Sequence, residues 1–223
     1  MSTPRTPYLY VDEGRGKTYT FAADSPSYIG TNKLITCVGV YLPISDSRCF
    51  FAHINASARK LQTDVYYRHV TEQEGQKVRQ ETPEKLSKHA AENGWSPKDV
   101  GKCVADGGGR KVVLMCPCYD DVEDGNKTLV GKYVDEGIRD FLRGNVGVFK
   151  IEEHFRDKSV QGFVVNHQTG EVALLEQRWR RNGKGEDERV NEEDEHFIQK
   201  PDALDGPEPW TFDVEAGWWR GPG

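Results

Sequence analysis

The chain has 223 residues, of which 36% are hydrophobic and 30% charged, and its 36 acidic and 30 basic side chains give a net charge of -6. This length suits one domain with a substantial core, and the mild excess of acids argues against nonspecific binding to nucleic acid or anionic membranes. No apolar run approaches the length of a membrane span. Because the first residues lack the pattern of a signal peptide, we expect a cytoplasmic protein, with the nucleus as the other open compartment.

Five cysteines are distributed along the chain, an odd number at low density. This distribution favours reduced thiols in a reducing compartment over a disulfide framework. Two of them form a Cys-Pro-Cys segment, but no second cysteine pair or Cys/His cluster lies near it in the sequence to complete four zinc ligands. We therefore interpret this segment as structural or incidental rather than as a metal or redox site. The five are Cys37, Cys49, Cys103, Cys116 and Cys118.

A β-hairpin is the most clearly patterned element. Before it, residues 1–27 predict two short strands joined by a turn at two glycines. Residues 34–42 then form a nearly continuous apolar and β-branched run, a polar turn covers residues 45–47, and residues 49–54 form a second apolar run. Two strands joined by so short a turn predict a hairpin whose strands are largely buried.

Helices and strands alternate over the following residues. A helix is predicted over residues 82–95, because Thr82 can serve as its N-cap with Pro83 at the first helical position. A second, short helix is predicted to begin at Ser96-Pro97 and to end at the triple glycine 107–109. The remaining predictions are strands over 111–116, 146–151, 161–166 and 171–175, and an amphipathic helix over 126–142.

The composition changes after residue 176. Residues 177–209 are charge-dense and poor in apolar side chains, which predicts a solvated or poorly ordered segment. Aromatic residues then end the chain, and they either pack back on the parent domain, which is the interpretation we favour, or bind a partner. The predicted organisation is an N-terminal strand region (1–27), a main domain (28–176) and a charged tail with a Trp-rich end (177–223).

One pair of side chains could carry chemistry. Cys37 lies in the first strand of the hairpin and His53 at the end of the second, so antiparallel pairing would bring them close together. A nucleophilic cysteine needs a nearby base to take its proton, and an imidazolium in turn favours the thiolate. A third polar group should orient the ring, and Thr31 and Thr36 are the candidates. The alternative is that Cys37 is an inert core residue and His53 a satisfied polar group.

The sequence around this pair resembles the bacterial chemoreceptor glutamine deamidases, the CheD family. That family carries a threonine, a cysteine six residues later and a histidine roughly sixteen residues after the cysteine, and Thr31, Cys37 and His53 keep these spacings. The similarity continues downstream and covers roughly residues 28–176. The downstream segments that carry it are 112–115, 131–138, 145–146 and 169–172.

A second likeness widens the choice of substrate. Residues 36–37 and 52–55 are also similar to the eukaryotic protein N-terminal asparagine amidohydrolases. Residues 35–36 and 55–57 depart from the usual deamidase pattern, which has Gly-Ser before the cysteine and often a Met-Leu-Pro-like run after the histidine. The resemblance therefore supports the hydrolysis of amides as a class more than it supports the bacterial substrate.

The resemblance implies an α/β layered sandwich with a mixed β-sheet, the CheD-like cysteine hydrolase fold, over residues 28–176. It implies a cysteine-dependent deamidase that acts on glutamine or asparagine, on a protein or peptide, without a cofactor or metal. Cys37 would attack the carboxamide carbon, His53 would carry the proton and Thr31 would orient His53. Backbone amides near Cys37 would hold the oxyanion. The alternative is a non-enzymatic interaction protein that keeps this fold and uses its Trp-rich end as the contact element.

Overall fold

The structure, a computed structural model, describes the chain in several ranges. These are residues 8–22, 27–32, 34, 37–55, 72–106, 108–120, 127–129, 131–142, 151–156, 160–176, 179–181, 187–189, 211–213 and 218–220. The helices are α1 (Glu72–Glu92), α2 (Pro97–Ala105) and α3 (Lys132–Leu142). The strands are β1 (Leu9–Tyr10), β2 (Gly16–Thr20), β3 (Tyr28–Thr31), β4 (Cys37–Ser45), β5 (Arg48–Asn55), β6 (Val112–Asp120), β7 (Lys127–Leu129), β8 (Ile151–Arg156), β9 (Val160–Asn166), β10 (Val172–Glu176), β11 (Trp179–Arg181), β12 (Asp187–Arg189), β13 (Thr211–Asp213) and β14 (Trp218–Arg220).

Two β-sheets form the centre of the fold. The larger sheet has the strand order β2-β5-β4-β6-β7, with β8 also paired to β6. Its pairs are antiparallel except for the parallel pair of β6 and β8, so the sheet is mixed. The smaller sheet has the order β1-β3-β9-β10. The predicted α/β class with a mixed sheet is confirmed.

Alternation along β4 and β5 produces two separate cores. Even-numbered side chains of β4 such as Val38 and Val40 pack with α1, α2 and α3. Odd-numbered side chains such as Cys37 and Tyr41 pack with Phe163 and other residues of the smaller sheet. Successive residues of a strand point to opposite faces, and here both faces are covered. This double burial explains why the sequence of the hairpin is almost continuously apolar.

The predicted hairpin of β4 and β5 is confirmed, with one irregularity at a proline. The turn lies at residues 46–47, where it was predicted, but β4 continues beyond Pro43 to Ser45. The pairing register shifts between Pro43 and Ser45. Such a bulge lets a strand pass a residue that has no amide hydrogen for the ladder.

The predicted start of the first helix was wrong. Helix α1 begins at Glu72, so Pro83 lies inside it rather than at its first position. Pro83 has no amide hydrogen to donate to the Arg79 carbonyl one turn earlier. The Thr82 hydroxyl donates to a different carbonyl, that of Val78, at 2.7 Å. Ion pairs from Arg79 also join α1 to α3. These tertiary contacts outweigh the helix-start signal of a threonine followed by a proline.

Other boundaries agree with the sequence more closely. Helix α2 begins at Pro97, with the Ser96 amide donating to the Asp99 carboxylate at 2.8 Å. Helix α3 was predicted from residue 126, but residues 127–129 form β7 and the helix begins only after Gly131, whose φ is 79°. Strands β6, β9 and β10 lie where strands were predicted. The strand predicted over 146–151 falls outside the described residues except for its last residue, which begins β8.

The structure describes strands on both sides of the predicted main domain, residues 28–176. Strand β1 pairs with β3 and so belongs to the smaller sheet. Strand β2 pairs with β5 and so belongs to the larger sheet. Of residues 177–209, only β11 and β12 are described, and they pair with each other. Strands β13 and β14 also pair, and β14 lies against α1. This last contact favours the interpretation that the Trp-rich end packs back on the parent domain.

Candidate active site

Two of the three predicted site residues are in direct contact. Thr31 ends β3 in the smaller sheet, and His53 lies near the end of β5 in the larger one. The Thr31 Oγ1 atom is 2.6 Å from Nδ1 of His53 and donates to the Val11 carbonyl at 2.7 Å. Because the two residues come from different sheets, this hydrogen-bond chain crosses the interface between the layers.

The hydrogen-bond partners determine the tautomer of His53. A hydroxyl has one proton and a carbonyl can only accept, so Thr31 donates to Val11 and accepts from Nδ1. The proton of the neutral ring therefore lies on Nδ1, and the lone pair lies on Nε2. Among the residues that the structure describes, Nε2 of His53 has no hydrogen-bond partner, although the atom is buried. An imidazole in this form is able to accept a proton at Nε2.

The segment between β1 and β2 holds the histidine from its backbone side. The Gly14 amide donates to the His53 carbonyl at 2.9 Å, and the His53 amide donates to the Arg15 carbonyl at 2.8 Å. Gly14 has a φ of 72°, a conformation that favours glycine. The same segment supplies the Val11 carbonyl to Thr31. This contribution could not be predicted from the sequence, because a backbone acceptor leaves no signal in the residue type.

Cys37 lies on the same face of the larger sheet as His53. Gly39 is directly opposite His53 in the register of β4 and β5, and Cys37 is opposite Asn55. Paired residues share a face, and so do residues two apart on a strand. Cys37 and His53 are thus diagonal neighbours, which are typically about 7–8 Å apart. Since Nε2 has no partner within the described part of the chain, the expected bond between it and the Cys37 thiol is not formed.

The site is enclosed, and its histidine is neutral. Cys37 is 2% exposed and His53 1% exposed. Burial lowers the pKa of His53 to about 3, because the charged ring would lose its hydration, while the Val11 carbonyl acts in the opposite direction. The imidazolium that was expected to favour a Cys37 thiolate is therefore not the form that the enclosed site stabilises.

A second buried histidine lies at the opposite end of the two sheets. Nδ1 of His167 is 2.7 Å from the Tyr41 hydroxyl, and Phe21 stacks on the ring with centroids 4.6 Å apart. Arg110 donates to the His167 carbonyl at 2.9 Å and forms an ion pair with Asp46. Burial lowers the pKa of His167 to about 4. Because aromatic and backbone contacts enclose this ring, we assign it a structural role.

The remaining sequence predictions about the site concern metals and the second threonine. No cluster of His, Cys, Asp and Glu side chains suited to a metal ion occurs among the described residues. Cys116 is buried in the core that faces the helices, whereas the side chain of Cys118 and the whole of Thr36 are outside the described residues.

The helices that the structure describes include none with the length and apolarity needed to cross a bilayer.

Comparison with known proteins adds no assignment. No protein-family model matches the chain, and no curated protein matches it at a significant level. Function is therefore inferred from the residues of the site and from their spacing.

Replacement of Thr31 by valine tests the hydrogen-bond chain. Thr31→Val keeps the shape but removes the hydroxyl that both the Val11 carbonyl and the Nδ1 proton of His53 contact. We expect the free energy of unfolding to fall by about 1–3 kcal/mol in urea denaturation, and nitrogen NMR to show that His53 loses its preference for the Nδ1 tautomer. Thr31→Ser, which keeps the hydroxyl, should retain that preference. A valine variant with unchanged stability and an unchanged tautomer would contradict the assignment.

Proposed function

We propose that this chain is a thiol-dependent amidohydrolase that converts the side-chain amide of glutamine or asparagine, in a protein or peptide, into a carboxylate. One observation carries the proposal: the imidazole of His53 is anchored by Thr31, and its basic nitrogen faces no partner in the described residues, on the sheet face that also carries Cys37. A cysteine near an oriented base is the arrangement that acyl transfer to a thiol needs. The similarity of the Thr31, Cys37 and His53 spacings to those of the deamidases supports the same class of reaction.

The first half of the reaction forms a thioester. Nε2 of His53 takes the proton of the Cys37 thiol as Sγ attacks the carboxamide carbon, which gives a tetrahedral intermediate. The C–N bond then breaks as Nε2 gives the proton to the leaving nitrogen, and ammonia departs. The imidazolium that exists between these steps is stabilised because its Nδ1 proton is donated to the Thr31 hydroxyl.

The second half of the reaction consumes one water. Nε2 takes a proton from water, and the resulting hydroxide attacks the thioester carbon. The C–S bond breaks, the carboxylic acid leaves, and the proton returns to Cys37. The net change is the hydrolysis of a primary amide to a carboxylic acid and ammonia. These steps use only protons, water and the two side chains.

The low pKa of His53 means that the proposed reaction requires the site to open. A base with a pKa of about 3 is a poor proton acceptor near neutral pH. Burial is the main cause of that low value, so water or a substrate oxygen that can accept a hydrogen bond from the protonated ring would raise the pKa toward its ordinary value of 6.5. The enclosed form is therefore a resting form, and the reactive form has a carboxamide against Nε2.

A non-enzymatic interaction protein with the same fold is the second candidate. The burial of Cys37 and His53 favours it, because a substrate cannot reach either side chain in the enclosed form. Burial raises the pKa of Cys49 and of Cys103, which makes these thiols useful standards of an inert cysteine. A Cys37 that reacts no faster than they do, even with the site opened, would favour this candidate.

Ammonia release tests the proposed reaction. The full chain is incubated with a panel of proteins and peptides that contain glutamine and asparagine, and mass spectrometry locates each amide that has become an acid. We expect activity in the natural chain and none in Cys37→Ala. Cys49→Ala is the matched control, because Cys49 is another buried thiol in the core between the sheets, and its variant should stay active. Activity that survives Cys37→Ala would rule out the proposed nucleophile.

A further inference from the structure

We propose that Leu34 closes the candidate site by occupying the place that a substrate carboxamide must take, and that Cys37 becomes reactive when the Leu34 side chain withdraws. The identity of the substrate group rests on the proposed function. The closure itself is a property of the folded chain, and it can be measured without any substrate.

The place in question lies over Gly39. Gly39 faces His53 across the pair of β4 and β5, and it is two residues from Cys37 on the same strand. A Cβ atom added to Gly39 would lie 2.7 Å from Cδ1 of Leu34 and 2.5 Å from Cε1 of Phe163. Carbon atoms in van der Waals contact are about 3.5–4.0 Å apart. The missing side chain of Gly39 therefore leaves a space next to both reactive residues, and Leu34 and Phe163 fill it.

Of these two side chains, Leu34 is the one that can withdraw. Phe163 belongs to β9, which is paired on one side with β3 and on the other with β10. Leu34 itself belongs to no strand, and in the sequence it stands between Thr31, which ends β3, and Cys37, which begins β4. Backbone outside a sheet ladder opens at a lower free energy than a strand that is paired on both sides.

A carboxamide suits the space that Leu34 would vacate. Leu34 is fully buried and belongs to the same core as Cys37, so its withdrawal removes apolar cover from the thiol. Nε2 of His53 is a buried acceptor without a partner in the described residues. A primary amide in this space would place its carbonyl carbon toward Cys37 and its nitrogen near Nε2, which stays free to take the thiol proton. Nε2 could then pass that proton to the amide nitrogen as ammonia leaves.

Thiol labelling of the intact full chain measures the closure. Iodoacetamide is added under native conditions, and peptide mass spectrometry gives the labelling rate of each cysteine. In Leu34→Ala we expect Cys37 to be labelled at least about tenfold faster than in the natural chain, because a cavity replaces the side chain that covers it. Cys49 should keep its rate, since it lies in the same core but toward the hairpin turn.

Ile29→Ala is the matched control. Ile29 is buried in the same core as Leu34, and its change to alanine removes the same number of carbon atoms as Leu34→Ala. The variant therefore shows the effect of a cavity that does not lie over Gly39. Should Leu34→Ala fail to fold, Leu34→Val makes a smaller change and should still accelerate Cys37 selectively. An unchanged Cys37 rate, equal acceleration of Cys37 and Cys49, or equal acceleration in Ile29→Ala would each overturn the closure. Selective acceleration in a chain that releases no ammonia would keep the closure and reject the amidohydrolase.

Discussion

Cys37→Ala and His53→Ala should each lose at least about 10⁴-fold in kcat/KM for ammonia release, and the double variant should lose no more than the worse of the two. The thiol cannot attack efficiently without a group that takes its proton, and the imidazole has nothing to activate once the thiol is gone. Residues that act as one unit therefore show strongly non-additive losses. Two residues that each contributed independently would instead give losses that multiply.

The natural chain, the two single variants and the double variant are compared in one ammonia assay. Circular dichroism checks that each variant is folded. Thr31→Val provides a graded comparison, because the ring keeps its base but loses the hydroxyl that orients it, so its loss should be smaller than that of His53→Ala. A double variant whose loss equals the product of the single losses would show that Cys37 and His53 do not act in the same step.

The hairpin that carries Cys37 and His53 could be predicted because its signal is local. A β-branched apolar run, a short polar turn and a second apolar run specify two paired strands from neighbouring residues alone. The same pattern placed both residues near the open end of the hairpin. Their common face depends on the register, and a shift of one residue would reverse the face of every side chain on one strand. The observed register, with Gly39 opposite His53, was beyond what spacing could determine.

The contact between Thr31 and His53 could be expected only from the family resemblance. Nothing in the residues of β3 indicates that the Thr31 hydroxyl contacts the ring of a histidine on the other sheet. The Val11 carbonyl was missed for a related reason, since a main-chain acceptor is present at every residue and only the fold selects one. The enclosure of Cys37 and His53 also depends on residues that are distant in sequence, such as Phe163.

Helix α1 shows the opposite failure, in which a strong local signal was overruled. Thr82 followed by Pro83 is a typical helix start, yet the helix begins at Glu72. The preceding turns are held to α3 by the ion pairs of Arg79 and by the close approach of Gly137, where a Cβ would lie 2.6 Å from Thr82. Tertiary packing of this kind outweighs propensity, because the free energy of helix formation is small for each residue.

The protein should lose stability in acid, and His53 alone should account for about 2–3 kcal/mol of the loss between pH 7 and pH 4.5. Burial lowers the pKa of His53 in the folded chain to about 3 from an ordinary 6.5. Between these values the unfolded chain binds a proton that the folded chain does not. The free energy of unfolding therefore has its full value above pH 6.5 and falls as the pH drops toward 3. The lowered pKa values of His89 and His167 act in the same direction.

Urea denaturation at a series of pH values isolates the share of His53. In His53→Gln the side chain does not titrate, so the slope of unfolding free energy against pH in this range should decrease by nearly one proton, about 1.4 kcal/mol per pH unit. Protonation of carboxylates affects both proteins alike and cancels in the comparison. Thr31→Val is the control, because it disturbs the same site but keeps the buried ring, and so it should keep the steeper slope. An equal slope in His53→Gln and the natural chain would mean that His53 is protonated in the folded state at these pH values, and the neutral resting form of the site would have to be abandoned.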